Sequence, residues 1–205
     1  MTNGRGPTRA EIPVYFGLGS NIGDRAANLR EAVARIEKLG LEVVRRSSIY
    51  ETEPVGFKDQ PRFLNQVIEA KITAELTSKS RPVVGNTDAM LANEAEVLLS
   101  ALLNIEREMG RVRTIANGPR VIDIDLLLFG DLIVGRSKED GQPSLRTETD
   151  VVVPHPRMHE RRFVLEPLCE IAPELVHPAL KKTCRQILAS LDDQSTVSLY
   201  HKGGG

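Results

Sequence analysis

A chain of 205 residues, 40% hydrophobic and 27% charged, has the make-up of an ordinary globular protein with one well-buried core. Its basic and acidic residues, 27 and 28 of them, leave a formal net charge of −1, which argues against nonspecific nucleic-acid binding. The two cysteines, Cys169 and Cys184, are too few for a disulfide framework and lack metal-ligand spacing, and no apolar run reaches the ~18–20 residues of a membrane span. A cytoplasmic protein with reduced thiols is expected.

Residues 1–13 are polar and rich in Gly and Pro, without the apolar segment of a signal peptide. They read as a flexible leader to a single domain over residues 14–195. Residues 14–18 predict a short strand, and Gly19-Ser20-Asn21-Ile22-Gly23 a turn. Asp24 then caps a helix in which Leu29, Val33, Ile36 and Leu39 recur at helical spacing. Gly40 ends it. Residues 41–51 read as one strand with a basic middle, residues 52–61 as a loop, and residues 64–72 as a strand of alternating character.

Residues 74–93 and 135–150 read as insertions. From within the first, Leu91, Ala95, Leu98, Leu102, Ile105 and Met109 form an apolar helical stripe ended by Gly110. A strand over 121–129 follows, and Gly130-Asp131 predicts a hairpin with residues 132–134. Short helices are expected around 158–164 and 183–191, and a tail over 196–205. Helices alternating with strands, and a hairpin among them, predict an α+β fold with helices packed on a mixed or antiparallel sheet.

The most informative segment is 118–129. Strand side chains alternate, so Asp123 and Asp125 share one face while Ile122, Ile124, Leu126 and Leu128 share the other. Carboxylates two positions apart on a strand lie ~6.5–7 Å apart at Cα, and can converge on one ion or hold two. Oxygen ligands favour magnesium over zinc. An exposed face with two solvated acids is the ordinary alternative. Like-charge repulsion and the strongly apolar strand weigh against it. Arg111, Arg113 and Arg120 stand just upstream, and acids for a metal beside arginines for phosphates point to a nucleotide polyphosphate site. The glycine segment is neither a P-loop nor G-x-G-x-x-G, and reads as a structural turn before the first helix. His155, between Pro154 and Pro156, fits a site or a satisfied turn equally.

Together these segments resemble the 6-hydroxymethyl-7,8-dihydropterin pyrophosphokinase family. The resemblance runs through GLGSNIGD at 17–24, SIYETEPVG at 48–56, QPRFLN at 60–65, Glu106 with GRVR at 110–113, GPRVIDIDL at 118–126, VPHP at 153–156 and RRF at 161–163. It implies a ferredoxin-like α/β sandwich, with a mostly antiparallel sheet, and transfer of pyrophosphate from ATP to the pterin in tetrahydrofolate biosynthesis. By resemblance, Asp123 and Asp125 would bind two magnesium ions. Arg113 and Arg120 would join them in catalysis. Glu106, Arg111, Arg113, Arg120, Ile124, His155 and Arg161 would contact ATP. Thr52, Glu53, Pro54, Val55, Phe63, Asn65 and Phe163 would hold the pterin. No nucleic acid, membrane or obligate protein partner is implied. Two rivals were weighed. A two-metal phosphohydrolase lacks further His or Asp ligands nearby. A noncatalytic nucleic-acid-binding sheet would need exposed aromatics, and aromatics total 4%.

Overall fold

The first strand already divides the molecule into two sides. In the computed structural model, which describes residues 12–72, 87–111, 118–135 and 151–201, β1 (Pro13–Ser20) sends Val14, Phe16 and Leu18 into one apolar core. Tyr15, Gly17 and Gly19 face the opposite way. α1 (Arg25–Lys38) follows, with the Asp24 carboxylate accepting the Ala27 N–H at 2.9 Å, and it buries Leu29, Ala32, Val33 and Ile36 against the sheet. Gly40 turns the chain at a φ of 96°, a conformation that glycine adopts without steric cost.

The single strand expected over 41–51 is two strands, β2 (Leu41–Arg46) and β3 (Tyr50–Thr52). Ser47 causes the break. It is buried, its N–H donates to the Val67 carbonyl, and its Oγ accepts the Val67 N–H at 3.0 Å. A side chain thus takes over one rung of the ladder. β4 (Phe63–Ile72) pairs with β1 along one edge and with β2 and β3 in succession along the other. α2 (Thr87–Glu108) buries Ala95, Leu98, Leu102 and Ile105, so residues 87–93 of the expected insertion are helical. β5 (Asp123–Phe129) lies on the far side of β1.

The sheet order is β5-β1-β4-β3-β6 with β2 also on β4, and every pairing is antiparallel. β6 is Val197–Leu199, within the segment read as a tail. The expected ferredoxin-like sandwich is therefore present, but the hairpin is not. β5 pairs with β1 instead, and Val134 bridges Val153. A register shift between Tyr15 and Phe16 also corrects the placement of Leu128. It turns to the Tyr15 side rather than joining Ile124 and Leu126.

A second apolar cluster on that side packs the sheet against α3 (Arg162–Ile171) and α4 (Cys184–Ala189). The helix expected around 158–164 is a 3-10 turn, Met158–Glu160, followed by α3, which runs on to Ile171. The end of α3 is pinned. Glu170 accepts hydrogen bonds from Ser48 N, Ser48 Oγ and Tyr50 Oη, and Arg45 donates to the Ile171 carbonyl while ion-pairing with buried Glu69. No helix of the described residues is long and apolar enough to cross a membrane.

Phe16 is fully buried in the strand that joins both halves of the sheet. Phe16→Ala is expected to lower unfolding free energy by about 3–5 kcal/mol, against about 1 kcal/mol for Asp24→Ala, which removes only a helix cap. Urea denaturation of both variants checks the ranking, and equal losses would contradict it.

Candidate active site

Where β4, β1 and β5 run side by side, their register sets two rows across the sheet. Asn65, Gly19 and Asp123 form one, and Val67, Gly17 and Asp125 the next. Both glycines face the open side. A Cβ on Gly19 would stand 3.1 Å from Asn65 Oδ1 and 3.9 Å from Asp123 Cβ, so a side chain there would fill the trough between them. This trough is the floor of a cavity of about 780 Å³, within the range of small-molecule sites. Gly19 thus joins Gly17 in the strand and in the site, rather than opening the turn read from sequence.

Asp123 and Asp125 project into the cavity together, as strand alternation requires. Arg111 Nη1 lies 2.6 Å from Asp123 Oδ1, and Arg120 Nε lies 3.3 Å from Oδ2. Asp125 is less compensated, with Arg161 Nη1 at 3.8 Å and His155 Nε2 at 3.9 Å. Burial and the neighbouring Asp123 charge push the Asp125 carboxyl up to about 7, with Arg161 pulling the other way. Two carboxylates in this state attract a cation. Among the described residues no group of three or more His, Cys, Asp or Glu side chains converges as a metal site. A hard cation held here would complete its shell with water and substrate oxygens, the habit of magnesium.

Around the acids stand donors suited to an anion. The buried Nε of Arg161 has no hydrogen-bond partner among the described residues, and that of Arg120 makes only the 3.3 Å ion pair with Asp123; guanidinium donors of this kind suit phosphate oxygens. Burial, then the Arg161 charge, lowers His155 to about 4. It is therefore neutral at pH 7. Its Nδ1 accepts the Arg157 N–H at 3.2 Å, which leaves the proton on Nε2, the nitrogen that faces Asp125. Glu106 is buried behind Asp123, where it pairs with Arg111 and accepts the Ile124 N–H at 2.7 Å. Burial raises its pKa against the pull of Arg111. It braces Arg111 and does not line the cavity.

The other side of the trough is shaped for a flat ring. Asn65 Nδ2 donates to Thr52 Oγ1 at 2.7 Å, and both side chains are buried. Glu53, Val55, Phe63 and Phe163 line the same wall. The guanidinium of Arg120 stacks 5.0 Å from the Phe63 ring centroid, and that of Arg161 5.5 Å from Phe163.

Most residues singled out from sequence therefore meet in one cavity. Two do not. The Ile124 side chain is turned into the core by strand alternation, and Pro54 is buried away from the cavity wall. Arg113 lies outside the described residues, as does the middle of the loop between Arg111 and Pro119. Sequence reading missed Arg157, which lines the cavity directly after the Pro-His-Pro segment, a position that could have marked it. It also missed Asn21. That buried side chain donates to Gln60 Oε1 and the Pro61 carbonyl and accepts the Arg120 N–H at 2.7 Å, joining the ring-binding wall to the arginine wall.

A family model described as 7,8-dihydro-6-hydroxymethylpterin-pyrophosphokinase (HPPK) matches residues 15–173. The 2-amino-4-hydroxy-6-hydroxymethyldihydropteridine pyrophosphokinase of Methylorubrum extorquens is 42% identical over 179 residues, covering 87% of this chain and 92% of that relative. The folic acid synthesis protein fol1 of Schizosaccharomyces pombe is 35% identical over 188 residues, which are 91% of this chain but 21% of fol1. A Plasmodium falciparum HPPK-DHPS crystal structure with pterin and p-hydroxybenzoate superimposes with a TM-score of 0.56 at 15% identity, over 87% of this chain and 43% of that one. At that identity the likeness shows the fold alone. The match of the family model over most of the chain, together with these relatives, shows that the chain belongs to the 7,8-dihydro-6-hydroxymethylpterin-pyrophosphokinase family.

Proposed function

We propose that this chain transfers pyrophosphate from ATP to the hydroxymethyl group of 6-hydroxymethyl-7,8-dihydropterin, giving AMP and the pterin diphosphate for tetrahydrofolate synthesis. One observation carries the reading. A single cavity holds an amide and two aromatics on one side of a glycine trough, and two carboxylates ringed by arginines on the other. Family membership and the name of the near-full-length relative support it.

Phosphoryl transfer asks the protein for alignment and charge neutralisation rather than covalent help. Two magnesium ions on Asp123 and Asp125 would supply Lewis acidity and a more acidic acceptor hydroxyl. Arg161 donates to phosphate oxygens through its unpaired Nε, Arg120 through its guanidinium, and Arg157 adds charge beside them. His155, neutral, donates one hydrogen bond from Nε2 without contributing a full charge. Arg111 is held by Glu106 and Asp123, and Arg113 joins this set by resemblance. On the acceptor side Asn65, steadied by Thr52, reads the polar edge of the pterin, while Phe63 and Phe163 cover its faces. A cytoplasmic setting belongs to the same proposal, supported by the free thiols of Cys169 and Cys184.

With magnesium, ATP and hydroxymethyl-dihydropterin, AMP should form only when the pterin is present. Phosphate release without pterin would instead identify a hydrolase. Asp123→Ala or Asp125→Ala is expected to lower turnover on the order of a hundredfold or more while the protein stays folded. Near-normal turnover in either folded variant would remove these residues from the metal site.

The acceptor wall can be tested separately. Phe163→Ala and Asn65→Ala should each weaken pterin binding roughly tenfold to a hundredfold, the worth of one stacking or polar-edge interaction. Magnesium-ATP affinity should stay within about threefold. Calorimetric titration of each ligand decides it, and collapse of ATP affinity with pterin affinity intact would reverse the division of the site.

Asp125 also predicts a stability effect. Its carboxyl rises from the ordinary value of about 4 to about 7 in the folded chain, so the folded state binds the extra proton. Stability is lost as pH rises through that window. In metal-free buffer Asp125→Asn should melt above the parent at pH 8. The gap should widen from pH ~4 and level off above pH ~7. Melting curves that differ by a constant amount across this range would contradict the raised carboxyl.

A further inference from the structure

Cys169 and Cys184 lie outside the cavity, yet the fold brings their sulfurs together from two different helices. Cys169 sits in the later part of α3, and Cys184 is the first residue of α4. Their Sγ atoms are 2.8 Å apart, and both are free thiols. Cys184 is held in place by its backbone. Cys184 N donates to the Leu175 carbonyl at 2.8 Å, and Thr183 just before it caps α4 with a reciprocal capping box. The two sulfurs differ in access. Cys184 is 2% exposed within the apolar cluster beneath α3, whereas Cys169 is half-buried, near Glu166, Glu174 and Arg185.

We propose that Cys169 and Cys184 form a redox-active dithiol that small disulfides such as oxidised glutathione close into an intramolecular bridge between α3 and α4. Cys169 is the entry thiol. Its thiolate attacks one sulfur of glutathione disulfide, forming a mixed disulfide and releasing one glutathione thiolate. Cys184 then loses its proton to that thiolate and attacks the Cys169 sulfur, releasing the second glutathione. Two protein thiols are oxidised, one disulfide is reduced, and two glutathione molecules leave. Contact with the Cys184 sulfur lowers the Cys169 pKa, and the same contact with burial raises that of Cys184, which fits an attacking and a resolving thiol. α3 also places Phe163 in its first turn at the cavity wall. The bridge therefore fastens the helix that carries one face of the ring-binding site. In a compartment that keeps thiols reduced, such a bond is transient and responsive rather than structural.

The test is intact-mass analysis of the whole native chain incubated with glutathione disulfide. The wild type should lose two hydrogens, keep no glutathione, and recover both thiols with dithiothreitol. Cys184→Ser should stop at one stable glutathione adduct, because the resolving thiol is gone. Cys169→Ser should stay unmodified while folded. A wild type that holds a stable adduct, or keeps both thiols free while Cys184→Ser becomes glutathionylated, would overturn the proposal. So would modification of folded Cys169→Ser at the same rate as the wild type.

Discussion

The register of β1 between β4 and β5 is the constraint on which the site depends. A strand slipped by one residue turns every side chain to the opposite face. Phe16 and Leu18 in β1, Leu64 and Ile68 in β4, and Ile124 and Leu126 in β5 all enter one buried cluster. Exposing any of them would forfeit roughly 1.5–3 kcal/mol. The apolar face thus locks the pairing, and the pairing lines up Asn65, Gly19 and Asp123 on the other side. The chemistry is aligned by residues that never touch it.

Charge in the cavity is arranged in layers. Glu106 holds Arg111, Arg111 neutralises Asp123, and Asp125 keeps a charge that its more distant partners only partly offset. A side chain left in that condition costs stability, and the tolerance for it makes sense where a cation and a polyphosphate complete the set. The neutral state of His155 follows the same logic. A second full positive charge beside Arg161 is unfavourable under burial, so the imidazole contributes a directed donor instead.

The two halves of the cavity are mechanically joined. Arg120 and Arg161 stack on Phe63 and Phe163, so groups suited to phosphates rest on groups suited to a ring. Asn21 ties the Arg120 backbone to the loop at Gln60 and Pro61. α3 adds a wall anchored at its far end by Glu170 and Arg45.

By itself the sequence determined the local pieces. Helical spacing from Leu29 to Ile36, the Asp24 cap, the alternation that pairs Asp123 with Asp125, and the family motifs are all written in neighbouring residues, and the first three reappear in the fold. What only the tertiary structure decided involves partners distant along the chain. Ser47 breaks a strand because Val67 lies across from it. Leu128 changes sides because of a register shift against β1, and Val134 bridges Val153, nineteen residues on, rather than pairing back on β5. Gly19 read as the start of a turn because glycine usually marks one, and nothing in the sequence assigned Gly17 or Gly19 a place in the site. Their role as a floor exists only when Asn65 and the aspartates flank them. Periodicity reports which face a residue takes, whereas the identity of what it faces is set by long-range pairing that no local pattern encodes.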